Sequence, residues 1–160
     1  MTFQFKLIIF IVASIVIAWI SRASLRDFRS HGFYRFLAWE AMLVLVLLNI
    51  NYWFYEPFSV HQIIAWLLLI ISLFLVIYGV RLLHQADKSD SQRNDPSLME
   101  FEKTSELVTT GIYRYIRHPL YSSLLFLAWG VFFKHPTWLS FCLALTTVFF
   151  LTMTAKMEEA

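Results

Sequence analysis

Five long apolar runs, divided by short charged patches, constrain this chain more than any other feature of its sequence. A helix that crosses a bilayer needs about 20 mainly apolar residues. The runs lie at about 3–20, 36–53, 58–80, 119–133 and 137–153. Hydrophobic residues make up 59% of the chain and charged residues 15%, against about 25% charged in a soluble domain. A compact soluble fold of this size has too little interior to hide that excess, so lipid must cover it. The third run is the cleanest, and the second is interrupted by Glu40. Only Lys134, His135 and Pro136 separate the last two, which predicts a tight antiparallel hairpin.

The expected fold is therefore all-α: a polytopic membrane protein with about five transmembrane helices in one embedded domain, 1–160. Three helices fill 1–80, a polar loop fills 81–118, and the hairpin with a final glutamate pair fills 119–160. Loop charges orient such a bundle. Eleven of the 13 basic residues fall on one side: four arginines between the first two runs, six residues in the long loop, and Lys156. Lys6 and Lys134 fall on the other. With five spans this puts the amino terminus outside and the carboxyl terminus in the cytosol, in a bacterial cell membrane. The first run carries its arginines after the apolar stretch, whereas a signal peptide carries its charge before it, so a retained helix is expected. Trp19, Tyr52, Trp53, Tyr55 and Trp138 lie near predicted helix ends, where interfacial anchors belong.

Some function classes drop out early. No dense Lys/Arg run with interleaved aromatics is present, so nucleic-acid binding has no support. Cys142 is the only cysteine, which excludes an internal disulfide and a cysteine-based metal cluster; inside an apolar run it reads as a small core residue.

The chemically informative stretch is 107–121, LVTTGIYRYIRHPLY. It turns at Gly111, which can take a positive φ without strain, and ends in Arg117-His118-Pro119 where the fourth helix begins. Proline suits a first helical turn because its missing N–H would be unpaired there anyway, and the residue before it is held extended. The helix start aims its N–H groups and positive dipole end at the interface, a site that attracts a carboxylate or phosphate, and Arg117 adds a full charge. Tyr113, Tyr115 and Tyr121 offer aromatic faces for an adenine or a sulfonium. The same residues also suit a plain membrane anchor. The hairpin then returns Glu158 and Glu159 to the face that holds His118, where carboxylates could accept hydrogen bonds from ribose hydroxyls or an amino group.

This stretch, followed by an apolar hairpin and Glu158-Glu159, resembles the isoprenylcysteine carboxyl methyltransferases and their phospholipid methyltransferase relatives. The shared pattern is L-V-x-x-G-x-Y-x-x-x-R-H-P-x-Y, a helical hairpin and a Glu-Glu pair. The resemblance implies an S-adenosylmethionine-dependent enzyme acting on a lipidic or prenylated acceptor from the membrane. It implies that Leu107, Val108, Tyr113, His118, Pro119, Leu120 and Tyr121 line the cofactor site with a carboxylate from Glu158 or Glu159. Gly111 and Arg117 would hold the loop in shape. No metal is implied. A carboxylate acceptor of the isoprenylcysteine type is the leading expectation. Phospholipid amine N-methylation, a sterol-reductase-like enzyme using NADPH and a non-catalytic membrane subunit are the rivals. Family members usually continue past the Glu pair, whereas this chain stops at Ala160. The expectations are a fragment or an incomplete lid, frayed Glu158 and Glu159, weak cofactor binding, and poor or no turnover. Glu40 is expected to pair with Arg35 or Arg22, and His61 to be wet.

Overall fold

The computed structural model of the chain describes residues 1–22, 25, 31–87, 116 and 118–158. Among these, every regular element is a helix: α1 (Phe3–Ile20), α2 (His31–Asn49), α3 (Val60–Asp87), α4 (Pro119–Phe132) and α5 (Trp138–Glu158), with a 3-10 turn at Ile50–Tyr52. Four of them, α1, α2, α3 and α5, are long and apolar enough to cross a membrane. The chain is an all-helical integral membrane protein. The fourth helix has 14 residues, about 21 Å at 1.5 Å per residue, and is the shortest of the five.

The ends of α2 and α3 differ from the apolar runs. The second helix starts at His31, ahead of its run, and the third continues to Asp87, beyond the last apolar residue of its own. Each residue added to a nucleated helix closes another backbone hydrogen bond, and long basic side chains reach the interface from such positions. Hydropathy therefore marks the lipid-covered part of a helix rather than its ends.

Two antiparallel pairs dominate the packing, α2 with α5 and α3 with α4; the α4–α5 hairpin joins them, and α1 lies against α2. Small residues set the α3–α4 approach. Ala65, Ser72 and Gly79 recur every seven residues along α3, facing Ser123 and Gly130 of α4. Ser72 Oγ donates to the Ser123 carbonyl at 2.7 Å. A Cβ at Gly130 would sit 3.0 Å from the Leu69 side chain and 3.3 Å from the Ala65 carbonyl oxygen. Lipid tails are as apolar as leucine, so membrane helices associate through this kind of close backbone approach and interhelical hydrogen bonding. On α5 the buried residues are Ser140, Ala144, Thr147, Leu151 and Thr154, spaced four and three apart as in a coiled-coil seam. Thr147 and Thr154 return their hydroxyls to the Leu143 and Phe150 carbonyls at 2.9 and 2.8 Å, so no polar end is stranded in the seam.

Three expectations about individual side chains are corrected. Cys142 is exposed on α5 and is not a core residue; in lipid the outward face of a helix is as apolar as the inward one, so apolar surroundings in sequence do not imply burial. Among the described residues Glu40 pairs with neither arginine; Ser14 of α1, which packs on α2, donates to its Oε2 at 2.7 Å. Of the five aromatic anchors, Trp19, Tyr55 and Trp138 are exposed, whereas Tyr52 and Trp53 are drawn into the cluster described next.

Candidate functional site

Polar side chains gather at the two ends of the bundle. At the end where α4 starts and α5 finishes, His118 occupies the N-cap of α4 with φ −125° and ψ 71°, and Pro119 fills the first helical turn. The extended His118 backbone follows from the proline after it, and its carbonyl accepts the Ser122 amide at 3.0 Å as the first turn closes. Tyr121 is buried, and its Oη donates to Glu158 Oε1 at 2.7 Å. His118 Nδ1 lies 3.7 Å from Glu158 Oε2, within ion-pair reach when the imidazole is protonated. The His118 and Tyr121 rings are 5.7 Å apart between centroids.

The result is one carboxylate fixed by a phenol, flanked by an imidazole, at the positive end of a helix dipole. The His118 and Glu158 side chains keep 31% and 21% of their surface exposed, enough for a ligand to reach them from the interface. The expectation that nothing holds Glu158 is not met: α5 runs through it, and Tyr121 holds its carboxylate. Ala38 of α2, Tyr121 and Leu151 form a buried cluster beneath, so three helices set the position of the phenol.

Of the residues singled out from sequence, His118, Tyr121 and Glu158 are brought together. Pro119 and Leu120 pack at Gly79 of α3; Leu120 Cδ2 would lie 3.3 Å from a Cβ there. Leu107, Val108, Gly111, Tyr113, Arg117 and Glu159 lie outside the described residues. Arg35, read from sequence as a loop charge, lies within α2 at the same end and is buried. Its signal was available only as a basic residue directly before an apolar run, as at many helix flanks.

The opposite end carries a cluster that the sequence did not announce. Lys134, in the α4–α5 turn, is 1% exposed. Its ammonium sits 3.5 Å from the Trp66 ring centroid and 5.3 Å from that of Trp53. It donates to Gln62 Oε1 at 3.0 Å and to the Trp53 carbonyl at 3.3 Å. Gln62 in turn donates to the carbonyls of Tyr52 and Lys134 at 2.9 and 3.1 Å, and His135 stacks on Tyr52 at 3.7 Å. Burial pushes the Lys134 pKa below the ordinary lysine value. The groups at this end serve one another, whereas His118 and Glu158 at the other end are partly exposed.

No group of three or more His, Cys, Asp or Glu that could hold a metal exists among the described residues. Comparison with curated proteins and with solved structures returned no match. Residues 60–160, more than half of the chain and the part that contains α3, α4, α5 and the Tyr121–Glu158 contact, match the phospholipid methyltransferase family, and the chain belongs to that family of integral membrane methyltransferases.

Proposed function

We propose that the chain is an S-adenosylmethionine-dependent methyltransferase acting on a lipid-linked acceptor at the cytosolic membrane interface. The observation that carries this reading is the Glu158 carboxylate, held by Tyr121 beside His118 at the start of α4. The donor set fits the cofactor. A carboxylate can accept from its amino group or ribose hydroxyls, the His118 and Tyr121 rings offer flat faces for an adenine, and the helix start attracts its carboxylate. Leu107, Val108, Tyr113, Pro119, Leu120 and Glu159 complete the proposed binding set, with Gly111 and Arg117 shaping the loop.

When bound, the cofactor supplies a methyl group already activated on a sulfonium. The protein's task is then alignment, catalysis by proximity and orientation. Glu158 holds one end of the ligand, Tyr121 keeps Glu158 from rotating, and the apolar helices exclude water and admit a lipid from the side. A carboxylate acceptor of the isoprenylcysteine type needs no general base, and the site holds no separate dyad that would serve as one among the described residues. Phospholipid amine N-methylation is the second reading, favoured by the description of the matching family. In that case a proton must leave the amine, and His118 is the side chain placed to take it.

Two measurements test the reading. Titration of the purified chain with S-adenosylmethionine and with NADPH should show saturable binding of the first only; preference for NADPH would move the chain to the reductase class. The orientation rests on the eleven-to-two split of basic residues. A reporter fused after Gln92 should read cytoplasmic and one after Pro57 external, and an external signal at Gln92 would remove the cytosolic cofactor site.

A further inference from the structure

One buried cation near the site is absent from the proposed cofactor-binding set. Arg35 lies in α2 and keeps 7% of its surface exposed. Its place follows from the register between α2 and α5. Asn49 Nδ2 donates to Ser140 Oγ at 3.2 Å, Leu45 shares a buried cluster with Ala144, and Ala38 shares another with Leu151. Each step back along α2 is matched by an equal step on along α5. The same register sets Arg35, three residues before Ala38, against the buried Thr154, three residues after Leu151. Glu158 follows one turn later on α5. Helical side chains lean towards the amino end of their own helix, and for α2 that is the end where Glu158 lies.

Three helices therefore border the mouth of the site. From α4 come His118 and Tyr121, from α5 Glu158, and from α2 Arg35, which shares a helix face with Ala38 of the Tyr121 cluster. Glu40 does not cancel this charge. It lies five residues along α2, about 140° around the helix, and accepts from Ser14 of α1. Left to itself, the Glu158 carboxylate makes a mouth that repels anions and attracts cations. A guanidinium is a permanent cation. Arg35 has interactions of its own, and its field reaches the mouth without a direct contact, past the apolar Ala38, Phe150 and Leu151. At an effective dielectric of about 20, a unit charge about 10 Å away changes the affinity for an anion roughly tenfold.

We infer that Arg35 selects the acceptor by charge: its guanidinium, fixed in the wall about one turn below Glu158, favours a lipid whose head carries an oxyanion, a carboxylate or a phosphodiester. The inference rests on the proposed methyl-transfer reading for its term "acceptor". Arg35 offsets the repulsion that Glu158 would exert on such a head. It acts on specificity and touches neither the methyl group nor the cofactor.

The test measures binding to the full chain in one detergent without cofactor, so turnover plays no part. Two pairs of probes differ chiefly by one negative charge: N-acetyl-S-farnesylcysteine against its carboxamide, and lysophosphatidylglycerol against monoacylglycerol. The wild type should bind the anionic member of at least one pair roughly tenfold more tightly, and the pair that shows the preference separates carboxylate from phosphodiester. Arg35→Met should erase that preference and leave the affinity for the uncharged member unchanged. Arg35→Lys keeps the charge and should keep most of the preference. A purely structural role would weaken both members alike. Should Arg35→Met fail to fold, the wild type still decides: its preference should persist in about 0.5 M salt, because a buried charge is screened far less than an exposed one such as Lys156. Equal affinities within both wild-type pairs, or a preference that survives Arg35→Met or vanishes in salt, would overturn the inference. An Arg35-dependent preference in a chain that fails to bind S-adenosylmethionine would instead overturn the methyl-transfer reading and leave an oxyanion-selective lipid site.

Discussion

Glu158→Ala should lower the affinity for S-adenosylmethionine by roughly tenfold to a hundredfold and leave the helical bundle intact. A hydrogen bond to a charged group contributes about 1.5–3 kcal/mol, and each 1.4 kcal/mol is about tenfold in affinity. The carboxylate is held on one side by the Tyr121 hydroxyl at 2.7 Å and approached on the other by His118 at 3.7 Å, so its removal also takes a contact from each. Tyr121→Phe keeps the ring and deletes only the hydroxyl that orients Glu158. Its loss of affinity should be smaller, near the ~1 kcal/mol of an ordinary hydrogen bond. Glu158→Gln keeps an acceptor for Tyr121 and removes the charge, and should fall between the other two. Calorimetric titration in one detergent orders the three variants. Equal affinities across the set would reduce this cluster to a helix-end contact and remove the support for a cofactor site there.

Lys134→Ala should destabilise the bundle by about 3–5 kcal/mol, enough to unfold many domains whose total stability is about 5–15 kcal/mol. The change strands Gln62 Oε1 and the Trp53 carbonyl, removes a desolvated cation from two indole faces, and leaves a cavity behind. Desolvation of the ammonium offsets part of this in the folded state, as the lowered pKa reflects. Lys134→Met restores the volume without the charge, so the difference between the two variants separates packing from hydrogen bonding and cation–π attraction. The sign of the pH effect follows from the same burial. Between the lowered folded pKa and the ordinary lysine value of 10.5, the unfolded chain binds the proton that the folded chain has lost. Stability then rises with pH across that window, and Lys134→Met should lack the rise. Thermal unfolding of the wild type and both variants at a series of pH values checks these statements. Wild-type melting in Lys134→Ala would show that the cage is incidental.

The long-range arrangement of Lys134 explains why it was not legible in sequence. A lysine followed by His-Pro between two apolar runs looks like any solvated turn, and the count of basic residues used it only as a charge on the far side. Its burial depends on Gln62 and Trp66, which arrive through α3, and on Trp53, which follows the 3-10 turn 81 residues before it. Glu40 failed in the same way: its nearest basic residues in sequence seemed the natural partners, while its hydrogen-bond donor, Ser14, came from α1. His118, Tyr121 and Glu158 were legible because local rules place two of them. Proline after His118 sets the helix start, three residues carry Tyr121 around the first turn, and a short hairpin brings the end of α5 back beside that turn.

Amino-acid sequence alone determined that this chain lives in a membrane, has five helices with a closing hairpin, and carries a methyltransferase-like motif at one end. Those properties depend on apolar run length, on the few residues between runs, and on side-chain types at adjacent positions, all of which are local. Tertiary structure decided which faces are buried, because in a bilayer the lipid-facing and protein-facing sides of a helix are equally apolar and hydropathy cannot tell them apart. The seams at Ala65, Ser72 and Gly79 on α3 and at Ser140 to Thr154 on α5 are set by close packing of small residues between helices, and the caged Lys134 by the indoles and the amide that meet at the α4–α5 turn. That choice is made by shape and interhelical hydrogen bonds, and it exists only once the helices meet.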